Sequence, residues 1–242
     1  MLGLKRLAVL ALCALQTSTP TVSARSLLNL RGMGMTHGDD GGALGLDKRQ
    51  SLTQKYCPPS SAACFSEFTV AAQKITYRIA IPDTAAAATP FDIYLQIIAP
   101  KATAGWAGIA WGGKMSNNPL TIGWALPNGG NGSVVSSRWT GGHSLPGAYS
   151  GATYTVLPST TANATHWQLD VHCQGCSKWA NGQLNPNGAN AFAWAKSTKA
   201  VANPASNSSS FSGHDGKSVW SHDLSLAKVP QSAFDALVAG KI

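Results

Sequence analysis

From residue 74 onward the sequence is a run of short segments in which apolar and polar residues alternate, each closed by Gly, Pro, Asn or Ser. In 74–81, KITYRIAI, the residues Ile75, Tyr77, Ile79 and Ile81 fall on one face, and Lys74, Thr76 and Arg78 on the other. A period of two marks a strand with one face buried and cannot supply the continuous apolar stripe of a helix. Phe91, Ile93, Leu95 and Ile97 repeat it, and a hairpin follows from Trp106 to Trp124. Further strands are predicted at 132–138, 152–157, 165–173, 189–197 and 217–222. About nine short strands separated by turn residues specify an all-β chain, an immunoglobulin-like antiparallel β-sandwich. A short C-terminal helix is predicted in PQSAFDALVAG, with Pro230 in its first turn and Gly240 at its stop. No GxGxxG or P-loop fingerprint and no internal repeat occurs.

The hairpin carries one residue that its setting does not explain. Its two apolar strands are joined by Gly112-Gly113-Lys114-Met115-Ser116-Asn117-Asn118-Pro119. Methionine is ordinarily a filler of irregular core space, yet Met115 stands in a polar, glycine-rich turn. Its thioether therefore needs a partner other than the protein's own core.

Lys5-Arg6, an apolar run from Leu7 to Leu15 and the small-residue site Val22-Ser23-Ala24 match a secretory signal peptide over residues 1–24. The run is too short to span a membrane. Residues 25–49 are rich in Gly and Asp, lack apolar periodicity and end in Lys48-Arg49, the pattern of a propeptide removed at a dibasic site. A disordered tail that happens to contain the pair is the alternative. The mature domain is then 50–242, in which Met115 is the single methionine and the cysteines are the even set Cys57, Cys64, Cys173 and Cys176.

In an oxidising compartment Cys57 and Cys64 read as a disulfide stapling the N-terminus. Cys173-Gln-Gly-Cys176 reads as a tight structural disulfide rather than a redox or zinc motif, although four cysteines allow three connectivities. Asn131, Asn163 and Asn207 open N-glycosylation sequons and predict surface loops there. Counted from residue 50, 12 Lys and Arg stand against 7 Asp and Glu, a net charge of +5. The basic residues are scattered singly, so they point to solubility and not to a nucleic-acid or lipid partner.

Five histidines remain in that domain: His143, His166, His172, His214 and His222. His166 and His172 share a strand face with Gln168 and Asp170, opposite Trp167, Leu169 and Val171, and are predicted to face solvent. His143 and His214 sit instead in the glycine-flanked loops Gly141-Gly142-His143 and Phe211-Ser212-Gly213-His214, where a side chain is free to project into a pocket. Spacing alone does not choose between them.

Taken together, several motifs resemble the cytochrome domain of fungal cellobiose dehydrogenase, in that family's order and over roughly residues 56–225. They are Trp106 to Trp124 with its GGKMSNN turn, Ser136-Ser-Arg-Trp139, Pro146-Gly-Ala-Tyr149, Thr165-His-Trp167, Cys173-Gln-Gly-Cys176, Ala193-Trp-Ala195 and Phe211-Ser-Gly-His214. The resemblance implies a DOMON-type sandwich holding one b-type haem between a methionine and a histidine. Carried over by motif, these ligands are Met115 and His214, and CQGC is a disulfide. The sequence has no CxxCH, so haem b is expected to bind non-covalently. A thioether and an imidazole on opposite haem faces leave no open position, which suits one-electron transfer and not substrate turnover.

Trp106, Trp111, Trp124, Phe192, Trp194 and Phe211 are candidate pocket walls, with ordinary sandwich core as the competing role. His143 stands where the family often has a tyrosine near the haem propionates, and with Tyr149 and Arg138 it is expected at that edge. Cellobiose dehydrogenase joins this domain to a flavin domain that the present sequence lacks, so no cellobiose oxidation is expected of it.

The expectation is a secreted electron shuttle. By analogy its donor is a separate flavin- or quinone-dependent sugar dehydrogenase and its acceptor a copper polysaccharide monooxygenase. The competing function is a haem-free DOMON-like module that binds carbohydrate or a cell-wall partner, which gives the GGxM turn and the FSxH loop no reason to occur together.

Overall fold

The alternating segments pair into two sheets laid face to face. The computed structural model describes residues 53–241 apart from 60, 62 and 128–131; the signal peptide 1–24, the propeptide 25–49 and Asn131 lie outside the described residues. In chain order the strands are β1 (Gln54–Tyr56), β2 (Phe65–Val70), β3 (Ile75–Pro82), β4 (Ile93–Pro100), β5 (Trp106–Trp111), β6 (Leu120–Ala125), β7 (Ser133–Trp139) and β8 (Gly147–Ala148). There follow β9 (Thr153–Val156), β10 (Thr161–Ala162), β11 (His166–Gln174), β12 (Lys178–Trp179), β13 (Gly182–Gln183), β14 (Ala189–Ser197), β15 (Gly216–Asp223) and β16 (Lys228–Val229), then helix α1 (Gln231–Val238).

The first sheet runs β1-β2-β3-β4-β11-β10, with β9 beside β11 and β16 parallel to β3; the second runs β15-β14-β5-β6-β7-β8. The core lies between them. It takes Ile75, Tyr77, Ile79 and Ile81 from β3, Ile93, Leu95 and Ile97 from β4, and Ile109 and Trp111 from β5, so the period of two reports one buried face. Tyr77 crosses the core and donates its hydroxyl hydrogen to the carbonyl of Gly108, 3.0 Å away, linking the sheets.

The outer face of the first sheet is not open to water. Phe234 and Leu237 of α1 pack there with Ala63, Phe65, Ala80, Tyr94 and Leu157. This corrects the expected exposure of the His172 face of β11. Asp170 is fully buried and accepts from the side-chain amides of Gln96 and Gln168, each at 2.7 Å, while His172 Nε2 lies 2.9 Å from Asp92 Oδ2.

Strand β2 went unpredicted for the same reason. With both faces covered, its Ser66 and Glu67 are buried, Ser66 donating to the Asp223 carbonyl and Glu67 pairing with Arg78 at 2.7 Å. The helix starts one residue later than expected, with Pro230 as its N-cap. It stops at Gly240, whose φ of +67° lets the Gly240 and Lys241 amides reach the Leu237 and Ala236 carbonyls, a Schellman ending. Both disulfides are local, Cys57–Cys64 and Cys173–Cys176.

Candidate functional site

The second sheet has a bare patch on its outer face. Ala110 lies opposite Ala193 and Gly108 opposite Ala195, so four small residues meet across the β5–β14 pair. Above them is an apolar cavity of about 570 Å³, walled by Trp106, Leu120, Ile122 and Phe211.

Strand register sets which loops reach it. In the antiparallel β5–β14 pair, Trp106 faces Ser197 and Trp111 faces Phe192. The turn after β5 thus leaves one end of the sheet, and the 198–215 connection after β14 leaves the other. Met115 is on the first loop and His214 on the second, and both residues line the cavity. The 140–146 loop after β7 closes the Met115 end, since Arg138 pairs with Leu120, and contributes His143, Ser144, Leu145 and Pro146.

The Met115 turn is built tightly. Gly112 and Gly113 have φ of +125° and +80°, a backbone region in which a side chain is strained. The buried Asn118 amide donates to the carbonyls of Lys114 (3.0 Å) and Ser116 (3.1 Å), bracketing Met115. The Asn117 amide donates to Thr140, tying the turn to the neighbouring loop.

His214 is fastened through the next residue. Asp215 accepts from the Thr198 amide and hydroxyl, both at 2.7 Å, and pairs with Lys196 Nζ at 2.8 Å. The Lys196 hydrogen bond, followed by those from Thr198, holds this carboxyl well below the usual carboxylate range. Asn118, Lys196 and Asp215 were not singled out from sequence, because a polar residue that braces a loop through a hydrogen bond or ion pair looks in sequence like one that does not.

The site residues expected from sequence divide into two groups. Met115, His214 and His143 meet at the cavity. Trp111 does not: it is fully buried in the inner core, edge-on to Phe192, with Nε1 donating to Thr121 Oγ1 at 2.8 Å. Tyr149 stacks on Trp139 at 5.0 Å, away from the cavity. Arg138 lies behind the cavity wall with its guanidinium occupied by backbone carbonyls. Of the aromatics, Trp106 and Phe211 line the cavity, Trp194 borders it but packs in the core with Phe192, and Trp124 packs beside Val201 on the outer face.

The profile of the cytochrome domain of cellobiose dehydrogenase matches residues 56–234. This chain belongs to that family. A pyrroloquinoline quinone-dependent pyranose dehydrogenase of Coprinopsis cinerea is 27% identical over 190 residues, which are 77% of this chain and 26% of the relative. The chain therefore spans about a quarter of that relative's length. Among solved structures, the cytochrome b domain of the Coprinopsis cinerea pyranose dehydrogenase superposes with a TM-score of 0.68 at 26% identity, covering 76% of this chain and 93% of that one. The cytochrome domain of Myriococcum thermophilum cellobiose dehydrogenase shares the fold, with a TM-score of 0.67, 23% identity and coverage of 79% and 97%.

The cavity suits the haem that this family implies. Met115 and His214 offer an iron two donors, and a tetrapyrrole brings the other four itself. Among the described residues, no group of three or more His, Cys, Asp and Glu is gathered to hold a metal without such a macrocycle. The lining carries Lys114, Lys217 and His143 and no carboxylate, the balance an anionic cofactor edge requires.

Proposed function

We propose that this protein is a secreted b-type cytochrome that moves single electrons between extracellular redox proteins. The observation that carries the reading is the approach of Met115 and His214, from opposite ends of one sheet, to a single apolar cavity. Haem b bound there without a covalent link supplies one-electron ferric–ferrous chemistry. The protein's share is to hold and shield it. Met115 and His214 would hold its iron, the small Gly108–Ala110–Ala193–Ala195 patch would leave room for a flat ring, and Trp106, Ile122 and Phe211 would keep water out. His143 attends the propionate edge.

The mouth is the meeting place for partners. Leu145 and Val219 are 63% and 57% exposed there, beside Lys114 and Lys217. A quinone- or flavin-dependent sugar dehydrogenase is the donor, a reading supported by the name of the Coprinopsis relative that carries a matching segment. A copper polysaccharide monooxygenase is the acceptor by analogy. The signal-peptide pattern and the two disulfides support secretion. No helix among the described residues is long and apolar enough to cross a membrane.

Visible spectra of single variants test the assignment. Met115→Ala is expected to remain folded and keep haem while losing the low-spin spectrum; an unchanged spectrum removes Met115 as a ligand. His214→Ala is expected to lose haem. Full occupancy with the wild-type spectrum would pass the role to another histidine, His143 first.

A further inference from the structure

We propose that Arg138 is the positioning residue of this pocket: it clasps together two of the loops that close it and keeps an unneutralised positive charge beside it. The part of this concerning the redox centre rests on the cytochrome reading; the clasp does not.

Arg138 is 7% exposed and reaches three separate segments. Its Nη2 donates to the carbonyls of Ser209 (2.6 Å) and Asn207 (3.3 Å), on the segment leading to Phe211 and His214. Nη1 donates to the carbonyl of Pro146 (3.4 Å), on the loop that carries His143. Nε donates to Ser136 Oγ (2.6 Å) on its own strand, and Cζ lies 5.1 Å from the centre of the Phe211 ring. The planar guanidinium fork spans these divergent acceptors; an ammonium does not.

Every one of those partners is neutral. The ion pairs among the described residues are Arg78–Glu67, His172–Asp92 and Lys196–Asp215, and none includes Arg138. Carbonyl dipoles stabilise the buried cation without cancelling its charge. No carboxylate lines the adjacent cavity. A cation placed this way favours the electron-rich form of whatever redox centre the cavity holds. A unit charge about 10 Å away, in a medium of effective dielectric near ~20, shifts such an equilibrium by roughly one order of magnitude.

The test compares Arg138→Gln, Arg138→Lys and the milder Ser136→Ala, which keeps the cation but removes one acceptor. Potentials are read by spectroelectrochemical titration of the haem-loaded proteins, and amide exchange across 203–214 is read in the haem-free proteins. Arg138→Gln is expected to lower the ferrous-to-ferric ratio about tenfold at fixed potential, a 59 mV fall for one electron. Arg138→Lys is expected to stay within about threefold of wild type, because the charge remains. All three variants are expected to exchange faster across 203–214, the Arg138 replacements by about tenfold or more, the factor that corresponds to one lost charged hydrogen bond.

Equal falls in potential for Gln and Lys overturn the charge effect. Wild-type exchange in all three variants overturns the clasp. Should the wild type take up no haem, the cytochrome reading fails, and exchange in the haem-free proteins still decides the clasp. Should Arg138→Gln not fold, Arg138→Lys and Ser136→Ala decide it by faster exchange at an unchanged potential.

Discussion

Met115 stood out in the sequence as an apolar thioether in a polar turn, whereas His214 shares its glycine-flanked setting with His143 and was chosen through the family resemblance; all three line the cavity. His222 gave no such sign and has the most constrained environment of the histidines. It is fully buried, its Nδ1 accepts from Trp220 Nε1 at 3.0 Å, and its Nε2 meets no partner. Burial lowers its pKa to about 3, against a small opposing pull from Asp223. The unfolded chain, with a histidine near 6.5, therefore binds the proton that the folded chain refuses. Stability from this group is complete above about pH 6.5 and is lost as pH falls toward 3, by roughly 4–5 kcal/mol in all. A His222→Phe variant is expected to flatten the acid limb of a denaturation series across that window, provided the ring packs as the imidazole does. An acid limb as steep as wild type would assign the sensitivity elsewhere.

Strands were read where the apolar residues alternate in sequence, whether or not the second face is covered. β3, β4 and β11 keep that alternation although their outer face is largely buried too, whereas β2 buries the polar Ser66 against the Asp223 carbonyl and Glu67 against Arg78 and so breaks the pattern. Trp111 and Tyr149 were placed at the cofactor because their neighbours in sequence are there, but strand parity turns Trp111 into the core and Tyr149, just past β8, stacks on Trp139 instead. Phe234 anchors α1 on the first sheet, far in the topology from the cavity on the second. Replacing it with Ala is expected to cost about 3–5 kcal/mol and roughly 10 °C in Tm while leaving the haem spectrum intact. The Met115 turn behaves in the opposite way. Asn118→Ala removes two buried hydrogen bonds, about 1–3 kcal/mol, and is expected to weaken the methionine's hold, seen as growth of high-spin bands on warming. A spectrum that stays low-spin up to the unfolding transition would show that the turn keeps its shape without that amide.

At the scale of the molecule, one sheet carries the helix and the other carries the candidate cavity on its outer face. The sandwich was legible from turn spacing, but the choice of outer face was not, because Gly108, Ala110, Ala193 and Ala195 become a patch only when β5 and β14 pair. Partners are expected to meet the lysine-flanked mouth. Electron transfer from a negatively charged donor should slow as salt rises past about 0.1 M, where the Debye length is ~10 Å. Lys114→Glu and Lys217→Glu should slow it at low salt with no change in spectrum. Rates indifferent to both would place docking on another surface.

The central claim is that Met115 and His214 hold a haem between them. An absorption spectrum of the purified protein, recorded before and after dithionite, tests it most directly. A Soret band that sharpens on reduction, with resolved α and β bands, is the predicted result. A colourless protein that takes up no added hemin would contradict it.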